Sequence, residues 1–372
     1  MASNQKLHIG VVGTSRFTQQ FHLDSLKDHL GVRIAAICGR NRPRAEAVAA
    51  AYGIPLVFTD YHDLIASPQV DAVVIVTPNN MHHPIALAAL EAGKHVFCEK
   101  PLAMNLNEAR EMYQKAVAAG VVHMVNFTFR GVPASIRMRE LIQEGYIGDL
   151  YHIHVTFMSP NRRGGLMEWR RDPVQAGTGA LADLGSHVID QARWLAGDIV
   201  RVCGHLSTAE RTLRIPETGQ TVPNQTDDSC AMVAEFENGA QGVLSASWVA
   251  HPGMGGMELR IQVHGSDGML RAAYRRPVDP ESWVRLKGAK GHSTKEEVLP
   301  LPEHLTESLD LSNEAALVRS LSTRRWFATQ RFVEAVLGNT QPSGTFYDGM
   351  KVQEALDAVV QSHRGSGWIN LG

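Results

Sequence analysis

Short apolar runs alternate with helix-like stretches along the first third of the chain. Uninterrupted apolar runs of this length are typical of strands buried on both faces of a parallel sheet. Their alternation with helices predicts right-handed crossovers, and hence a doubly wound sheet. We therefore expect an α/β fold whose N-terminal domain, residues 1–126, is a Rossmann doubly wound parallel sheet. The predicted strands are 7–12, 32–38, 71–76, 94–98 and 121–125, and the first helix is expected to continue through His29.

The pattern changes after Asn126. Residues 150–158 alternate apolar and polar side chains, which predicts a strand with one buried and one open face. An Asn-Gly pair at 238–239 predicts a hairpin over 227–249, and a second hairpin is expected over 257–274. Residues 127–372 are therefore predicted to form an α+β domain with a large, mainly antiparallel open sheet. Within it, residues 276–307 are expected to run over the surface, and helices are expected at 133–144, 317–337 and 349–362.

Polar residues cluster just past the carboxyl ends of the predicted parallel strands, where open α/β sheets bind their ligands. The first strand is followed by Gly13-Thr14-Ser15-Arg16-Phe17, and free N–H groups at the start of the next helix would favour a phosphate. Gly13 fits the first glycine of the dinucleotide fingerprint, but Ser15 and Thr18 stand at the second and third. For this segment alone, a plain strand–helix turn stays an open alternative.

The second strand ends at Gly39-Arg40, where NAD-specific sites usually place an acidic side chain. An arginine suits the 2′-phosphate of NADP and can stack on adenine, so NADP is favoured over NAD. A solvated arginine at the start of a helix is the alternative.

The fourth strand ends at Glu99-Lys100-Pro101. Pro101 keeps Lys100 out of helical geometry, and an amine held there can donate to a substrate hydroxyl and favour its ionised form. An ordinary ion pair at a strand end is the alternative for this tripeptide taken alone.

A later helix carries Asp183, His187 and Asp190 at spacings of four and three, which places them on one face among apolar neighbours. A polar seam on a buried helix needs partners or a cavity. His187 can take a proton near neutral pH, and Asp183 can orient it or bind a hydroxyl. A satisfied core histidine is the alternative.

The loop over residues 161–175 carries Arg162, Arg163, Arg170 and Arg171 together with Trp169. These arginines could select an anionic substrate such as a uronate, or the loop could be a solvated connection; both interpretations stay open.

Charge and composition narrow the function classes. The 36 Lys and Arg residues nearly balance the 38 Asp and Glu residues, whereas nucleic-acid and membrane-surface partners require a basic excess. No apolar run is long enough to cross a bilayer. The four cysteines lack disulfide or CxxC spacing, and no metal-ligand spacing is present, so we expect a cytoplasmic protein without a metal. The open sheet face predicts a homodimer or homotetramer.

Five segments together resemble one family. The glycine turn, Thr77-Pro78-Asn79 with His82, Glu99-Lys100-Pro101, Asn126 with Arg130, and Asp183-x-Gly185-x-His187 are similar in order to the glucose–fructose oxidoreductase and inositol dehydrogenase (Gfo/Idh/MocA) family. The resemblance extends to the 238–239 hairpin turn, the His264-Gly265 strand turn and the tail over 348–368.

The resemblance implies a nicotinamide cofactor and a sugar, polyol or related alcohol as substrate. It implies that Lys100, Asp183 and His187 are the catalytic group, that Thr77, Asn79, His82 and Glu99 contact the cofactor, and that the Lys100–Pro101 bond is cis. The predicted function is hydride transfer between nicotinamide and a secondary alcohol or ketone. A reductase of the same fold with a non-carbohydrate substrate, such as a dihydrodiol or a tetrapyrrole, and a non-enzymatic dinucleotide-binding sensor are the alternatives.

The candidate site residues fall into two sets. The candidate dinucleotide contacts are Gly13, Thr14, Ser15, Arg16, Phe17, Gly39, Arg40, Thr77, Pro78, Asn79, His82, Glu99, Lys100 and Asn126. The candidate substrate contacts are Lys100, Arg130, Trp169, Arg170, Asp183 and His187.

Overall fold

The computed structural model describes residues 6–277, 279–307, 309–322, 324, 327–365 and 367–372. They divide into two compact units. Unit 1 comprises residues 1–128 and 318–350, and unit 2 comprises 129–317 and 351–372. The division at 126/127 stays a prediction as a domain boundary, and residues 318–350 pack with the first unit.

Unit 1 is built on a parallel sheet in the order β3-β2-β1-β4-β5-β6. This order is the Rossmann order, in which ligands bind at the carboxyl ends of the strands. The predicted doubly wound sheet is confirmed. Its strands are β1 Leu7–Val12, β2 Val32–Cys38, β3 Leu56–Phe58, β4 Ala72–Ile75, β5 His95–Cys98 and β6 His123–Val125.

Unit 2 contains a mixed sheet of nine strands in the order β16-β15-β14-β13-β7-β12-β11-β8-β17. Only the β12–β7 pair is parallel among the described pairs, so the prediction of a mainly antiparallel sheet is confirmed. The strands, including the separate β9–β10 pair, are β7 Leu150–Met158, β8 Ile199–Ser207, β9 Thr212–Arg214, β10 Thr221–Pro223, β11 Ser229–Phe236, β12 Gln241–Ser247, β13 Met257–Gly265, β14 Gly268–Arg276, β15 Leu286–Lys290, β16 Glu297–Leu299 and β17 Ile369–Asn370.

Helices connect these strands. Two π-helical segments, Thr18–Leu23 and Leu181–Gly185, immediately precede α1 and α8. The α-helices are α1 Asp24–Leu26, α2 Arg42–Tyr52, α3 Tyr61–Ala66, α4 His82–Glu91, α5 Leu106–Ala119, α6 Pro133–Gln143, α7 Pro173–Ala176, α8 Ser186–Ala196, α9 Glu303–Thr306, α10 Glu314–Ser322, α11 Ala328–Leu337 and α12 Phe346–Gly365.

Helix α11 belongs to unit 1 because its apolar face covers the parallel sheet. Phe332 is 1% exposed, and its ring lies 5.6 Å from that of Phe97 in β5. Gln330 Nε2 donates to Ser25 O at 2.6 Å, which ties the same helix to α1. Apolar burial and a buried hydrogen bond therefore join this late segment to the first strands of the chain.

Several predicted elements were wrong. The expected surface segment 276–307 contains β15 and β16, which extend the large sheet: Leu286 and Gly288 are buried and alternate with Lys287 and Ala289. Its content of Pro, Gly and charged residues hid that short alternation. The elements that were not predicted are the strands β3, β8, β9, β10 and β17 and the helices α3, α7 and α9, of which α7 lies in the expected loop over 161–175.

Two predicted helices differ from the structure. The first ends at Leu26, not His29. The single helix expected over 317–337 is divided into α10 and α11, and Phe327, directly before α11, is extended (φ −66°, ψ 145°). Residues 323, 325 and 326 of that prediction lie outside the described residues.

Candidate active site

Gly13 brings the phosphate-binding turn close to the ends of the neighbouring strands. Its φ of 128° lies in the left-handed half of backbone space, and an added Cβ would stand 2.2 Å from Val76 O. Gly13 N donates to Cys38 O at 2.9 Å. Only glycine can occupy this position without a clash, and this explains the first glycine of the fingerprint.

The two residues that depart from the fingerprint, Ser15 and Thr18, form hydrogen bonds with each other. Ser15 Oγ accepts from Thr18 N at 3.0 Å, and the two hydroxyls are hydrogen-bonded at 2.8 Å. Ser15 thus caps the helical segment that starts with π geometry at Thr18. π-helical turns are uncommon in proteins, but those that occur are often found at functional sites.

The end of β2 lies beside this turn. A Cβ at Gly39 would stand 2.6 Å from Thr14 Cγ2, and Arg44 Nε donates to Thr14 O at 3.0 Å. Arg16, Phe17 and Arg40 are exposed. The cationic side chain at the predicted ribose position is therefore accessible to solvent.

The end of β4 carries buried polar atoms without a partner. Thr77 Oγ1 and Asn80 Oδ1 have no hydrogen-bond partner within the part of the chain that the structure describes. Pro78 precedes the 3₁₀ turn Asn79–Met81, and Asn79 is 5% exposed. Buried polar atoms are normally satisfied, so these atoms, with the close approach at Gly13, fit the hydroxyl and phosphate groups of a dinucleotide.

His82 joins β4 to the turn that carries Lys100. Its ring is fully buried, with Nδ1 2.8 Å from Pro101 O and Nε2 3.1 Å from Thr77 O. Burial lowers the pKa of His82, although both carbonyls and Glu99 oppose that effect. The Lys100–Pro101 bond is cis, as the resemblance implied. The structure thus gives His82 two main-chain partners and places it against the lysine turn.

Glu99 is ionised inside a buried polar cluster. Its Oε1 lies 2.8 Å from His22 Nε2 and accepts from Asn126 Nδ2 at 2.6 Å. Burial disfavours the charge, but the hydrogen bonds from His22 and Asn126 and the charges of His22 and Lys100 outweigh it, so the pKa of Glu99 lies below its usual range. The carboxylate next to Lys100 is therefore held by the protein.

His22 was missed by the sequence analysis. It is 1% exposed and lies 77 positions from Glu99 in the chain. Its ring also packs edge-on against Phe97. No local spacing points to such a pair, and a single histidine in a helical stretch carries no signal by itself.

In unit 2, Asp183 lies in the π-helical segment Leu181–Gly185 and faces a cation. Arg170 Nε is 3.5 Å from Asp183 Oδ1, and the Arg170 guanidinium stacks 4.2 Å from the Trp169 ring centroid. The structure therefore brings three of the predicted substrate contacts together.

His187 follows at the start of α8. It is 9% exposed, and its ring packs edge-on against Phe129 at 5.1 Å and lies 6.0 Å from the Phe157 ring. These aromatic contacts restrict the rotamers of the imidazole.

Arg130 is not exposed to solvent. It is 3% exposed and forms a bidentate pair with Asp190, in which Nη2 donates to Oδ1 at 2.6 Å and Nε donates to Oδ2 at 3.1 Å. This pair explains the polar residue at 190 in the predicted seam. Contact of Arg130 with a substrate stays a prediction, and the structure shows it as a buried partner of α8.

The arginines of the 161–175 loop are largely neutralised. Arg162 pairs with Glu168, and Arg171 is buried between Asp228 at 2.7 Å and Glu210 at 3.0 Å. Arg170 faces Asp183, whereas Arg163 is exposed. These side chains therefore do not form a cluster of four uncompensated cations.

The structure thus gathers the candidate residues of each unit at one place. In unit 1 the turn 13–17 and the residues after β2, β4, β5 and β6 lie at one sheet edge; in unit 2 Trp169 and Arg170 lie beside the helix of Asp183 and His187. Their roles stay predictions.

Two further findings concern metal binding and membrane insertion. Within the described residues, no group of three or more His, Cys, Asp or Glu side chains has the geometry of a metal site. No described helix has the length and apolarity needed to cross a membrane.

Both halves of the chain match one protein family. Residues 7–127 match the oxidoreductase family with the NAD-binding Rossmann fold (GFO_IDH_MocA), and residues 135–271 match the GFO/IDH/MocA C-terminal domain. Levoglucosan dehydrogenase of Pseudarthrobacter phenanthrenivorans is 30% identical over 364 residues, which cover 90% of this chain and 88% of that protein. 1,5-Anhydro-D-fructose reductase of Ensifer adhaerens is 30% identical over 345 residues, which cover 92% and 91%.

A solved structure agrees with these matches over the whole length. Levoglucosan dehydrogenase in complex with NADH and L-sorbose superposes with a TM-score of 0.86 at 26% identity, covering 99% of each chain. The resemblance drawn from the motifs is confirmed.

Proposed function

Because the chain belongs to the Gfo/Idh/MocA family of NAD-binding oxidoreductases, we propose that it transfers hydride between a nicotinamide dinucleotide and a secondary alcohol or ketone of a neutral sugar or polyol. The observation that carries this proposal is that Lys100, Asp183 and His187 are all present in a chain that matches both family domains. A sensor that only bound the dinucleotide would not need the lysine or the histidine.

Some residues of this chain would bind the dinucleotide, and others would transfer the proton. Gly13 to Phe17, Thr77 and Asn79 would hold the dinucleotide, which supplies the hydride acceptor or donor when it is bound. His187 takes the hydroxyl proton or returns it. Lys100 donates a hydrogen bond to the reacting oxygen and stabilises its developing charge. General acid–base help of this kind supplies roughly 10²–10⁴-fold in rate.

Asp183 binds a neighbouring hydroxyl of the substrate. Its charge is balanced by Arg170, 3.5 Å away, so the pair presents both an acceptor and a donor without excess charge. The pairing of Arg162 and Arg171 with carboxylates supports a neutral substrate rather than a uronate.

The choice of dinucleotide rests on Arg40. Its side chain is exposed beside Gly39, and no acidic residue stands at 39–41 to bind the 2′-hydroxyl of NAD. We therefore propose that the enzyme uses NADP as well as NAD, with Arg40 on the 2′-phosphate.

The open face of the large sheet supports a homo-oligomer. Val233 and Val243 are paired across β11 and β12 and are 43% and 47% exposed. Apolar side chains at the centre of a sheet face favour association with a second copy. All four cysteines are free, which supports a cytoplasmic location.

Turnover of a substrate panel tests the function. The purified protein is assayed with neutral sugars and polyols, with uronates as a separate arm, and with NAD⁺ and NADP⁺ separately, by the absorbance of reduced nicotinamide. We expect turnover with at least one neutral compound, and a Lys100→Met variant should lose about 10²-fold in kcat.

Lys115→Met is the matched control, since Lys115 is an exposed residue of α5 paired with Glu91. It should keep the wild-type kcat. Absence of turnover with every compound would refute the function, and a Lys100→Met enzyme with near-normal kcat would refute the role of that amine.

A further inference from the structure

Two adjacent buried carboxylates lie just before β11 and belong to no predicted site. Asp227 is 5% exposed and Asp228 is fully buried. Asp227 Oδ1 accepts from Gly179 N at 2.6 Å, and its Oδ2 accepts from Leu181 N at 2.8 Å. Its main-chain oxygen accepts from Ala180 N at 3.0 Å. Three successive N–H groups are thus held by one residue.

These bonds fix the start of the helical segment that carries Asp183 and His187. Gly179 allows the close approach, because an added Cβ would lie 1.9 Å from Asp227 O. Asp183 N in turn donates to Gly179 O at 3.1 Å. Unpaired N–H groups at a helix start are costly when buried, and here a carboxylate satisfies two of them.

Asp228 anchors the segment that carries Arg170, through a contact with the neighbouring Arg171. Its Oδ1 accepts from Arg171 Nη1 at 2.7 Å and from Trp248 Nε1 at 3.0 Å. Arg171 is the neighbour of Arg170, whose Nε lies 3.5 Å from Asp183. The two carboxylates therefore anchor the two halves of the Arg170–Asp183 ion pair.

We propose that Asp227 is a positioning residue, which in its ionised form holds Asp183 and His187 in their working orientation, while Asp228 holds Arg170 in register with them. The expected effect of this positioning on turnover rests on the proposed function. The geometry favours the ionised form, because each oxygen of Asp227 accepts a hydrogen bond from a backbone N–H.

Titration of Asp227 would then affect activity near pH 6. Burial raises the pKa of Asp227 to about 6, its N–H partners oppose the rise, and the charge of Asp228 adds to it. The other charged or titratable groups packed here are Arg171, paired with Asp228 and Glu210, and Cys230, whose pKa is raised by burial and by Asp227. As the pH falls through about 6, Asp227 takes up a proton, and the oxygen that carries it becomes a weaker acceptor for its backbone N–H.

An Asp227→Asn variant separates positioning from simple stability. The amide keeps the shape, but its NH₂ cannot accept from an N–H. We expect kcat to fall about tenfold or more, since a buried donor is left unsatisfied. The NADH affinity, measured by fluorescence titration, should stay within about twofold, because the predicted dinucleotide contacts are in unit 1.

The pH profile gives a second readout. With Asp227 required in the ionised form, the slope of log(kcat/KM) against pH in alcohol oxidation should be steeper on the acid side in the wild type than in Asp227→Asn. Asp60→Asn is the matched control: Asp60 is exposed and caps α3 by accepting from His62 N at 2.9 Å, and asparagine caps equally well.

Hydrogen exchange of residues 178–187 tests the positioning without turnover. Mass spectrometry should show faster exchange of these amides in Asp227→Asn, and in the wild type as the pH falls below about 6 after correction for intrinsic rates. Unchanged exchange, or a wild-type kcat and slope in a variant that is merely less thermostable, would overturn the proposal. If the variant does not fold, wild-type exchange at residues 178–187 that does not change below about pH 6 overturns it. If no substrate is turned over, the proposed function fails while the exchange result still decides this inference.

Discussion

His123 in β6 is a buried histidine that accepts a main-chain hydrogen bond. It is 4% exposed, and its Nδ1 accepts from Phe346 N at 3.1 Å. Burial lowers the pKa of His123 to about 4, although Asp348 opposes the effect. The folded state therefore holds the neutral ring, which suits the acceptor role of Nδ1.

This histidine makes stability depend on pH. Its contribution is complete above the pKa of about 6.5 that an unfolded histidine has, and it is lost as the pH falls from 6.5 toward 4. Between pH 8 and pH 5, the free energy of unfolding should fall by about 2 kcal/mol more in the wild type than in His123→Asn. Urea unfolding at both values measures the difference.

Asparagine retains an acceptor for Phe346 N, so the variant isolates the titration. The exposed His62→Asn variant is the control and should follow the wild type. Equal pH dependence in the wild type and His123→Asn would contradict the assignment.

At the residue scale, the sequence predicted single side chains with a strong local signal but not their distant partners. Gly13, Lys100 and His82 were singled out because they follow strand ends. The partners His22 for Glu99 and Asp227 for residues 179–181 were not, because each pair is joined across dozens of residues by the fold and not by spacing. The substrate role of Arg130 could not be judged from sequence either, since its pairing with Asp190 depends on packing.

At the element scale, the turn between β1 and the following helix depends on the absence of a side chain. Gly13→Ala would place a Cβ 2.2 Å from Val76 O at a φ of 128°. We expect it to lower the free energy of unfolding by at least about 2 kcal/mol. The NADH affinity should weaken about tenfold, because the strand ends must move apart. Denaturant unfolding and NADH titration measure both.

Gly53→Ala separates backbone strain from crowding. Gly53 ends α2 at a φ of 65°, and an added Cβ would meet nothing within 4 Å. It should cost about 1 kcal/mol and leave the NADH affinity unchanged. If both variants behaved alike, the close approach at Val76 would not matter for binding.

Elements with a long, regular pattern were predicted and short or edge elements were not. The strands at 7–12, 32–38 and 150–158 were found at their predicted bounds. β3, with three half-buried residues, and β15, in a stretch rich in Gly and charge, carry too little periodicity. The π-helical geometry of Leu181–Gly185 depends on tertiary anchoring, so an ideal helical spacing could not reveal it.

At the scale of the whole molecule, the proposed oligomer can be tested on the sheet face. Val243→Glu places a charge beside Val233 and His154, its neighbours on β11 and β7. Burying that carboxylate in an interface is costly, so light scattering after size exclusion should show the wild type above the 40.7 kDa of one chain and the variant near it.

Val243→Thr keeps the β-branched shape and should retain the assembly. A wild type with the mass of a single chain would refute association through any face, and an unchanged assembly in Val243→Glu would refute this face.

Unit 1 is built from two separate parts of the chain, and this has a consequence for folding during synthesis. Its parallel sheet comes from residues 1–128, but α11, which covers Phe97 and Ser25, is contributed by residues 318–350. During synthesis, the N-terminal strands therefore emerge with part of one apolar face uncovered, until α11 has also left the ribosome. A fragment that stops at residue 128 lacks this cover, so the dinucleotide-binding half of the protein cannot be treated as a module that is complete in itself.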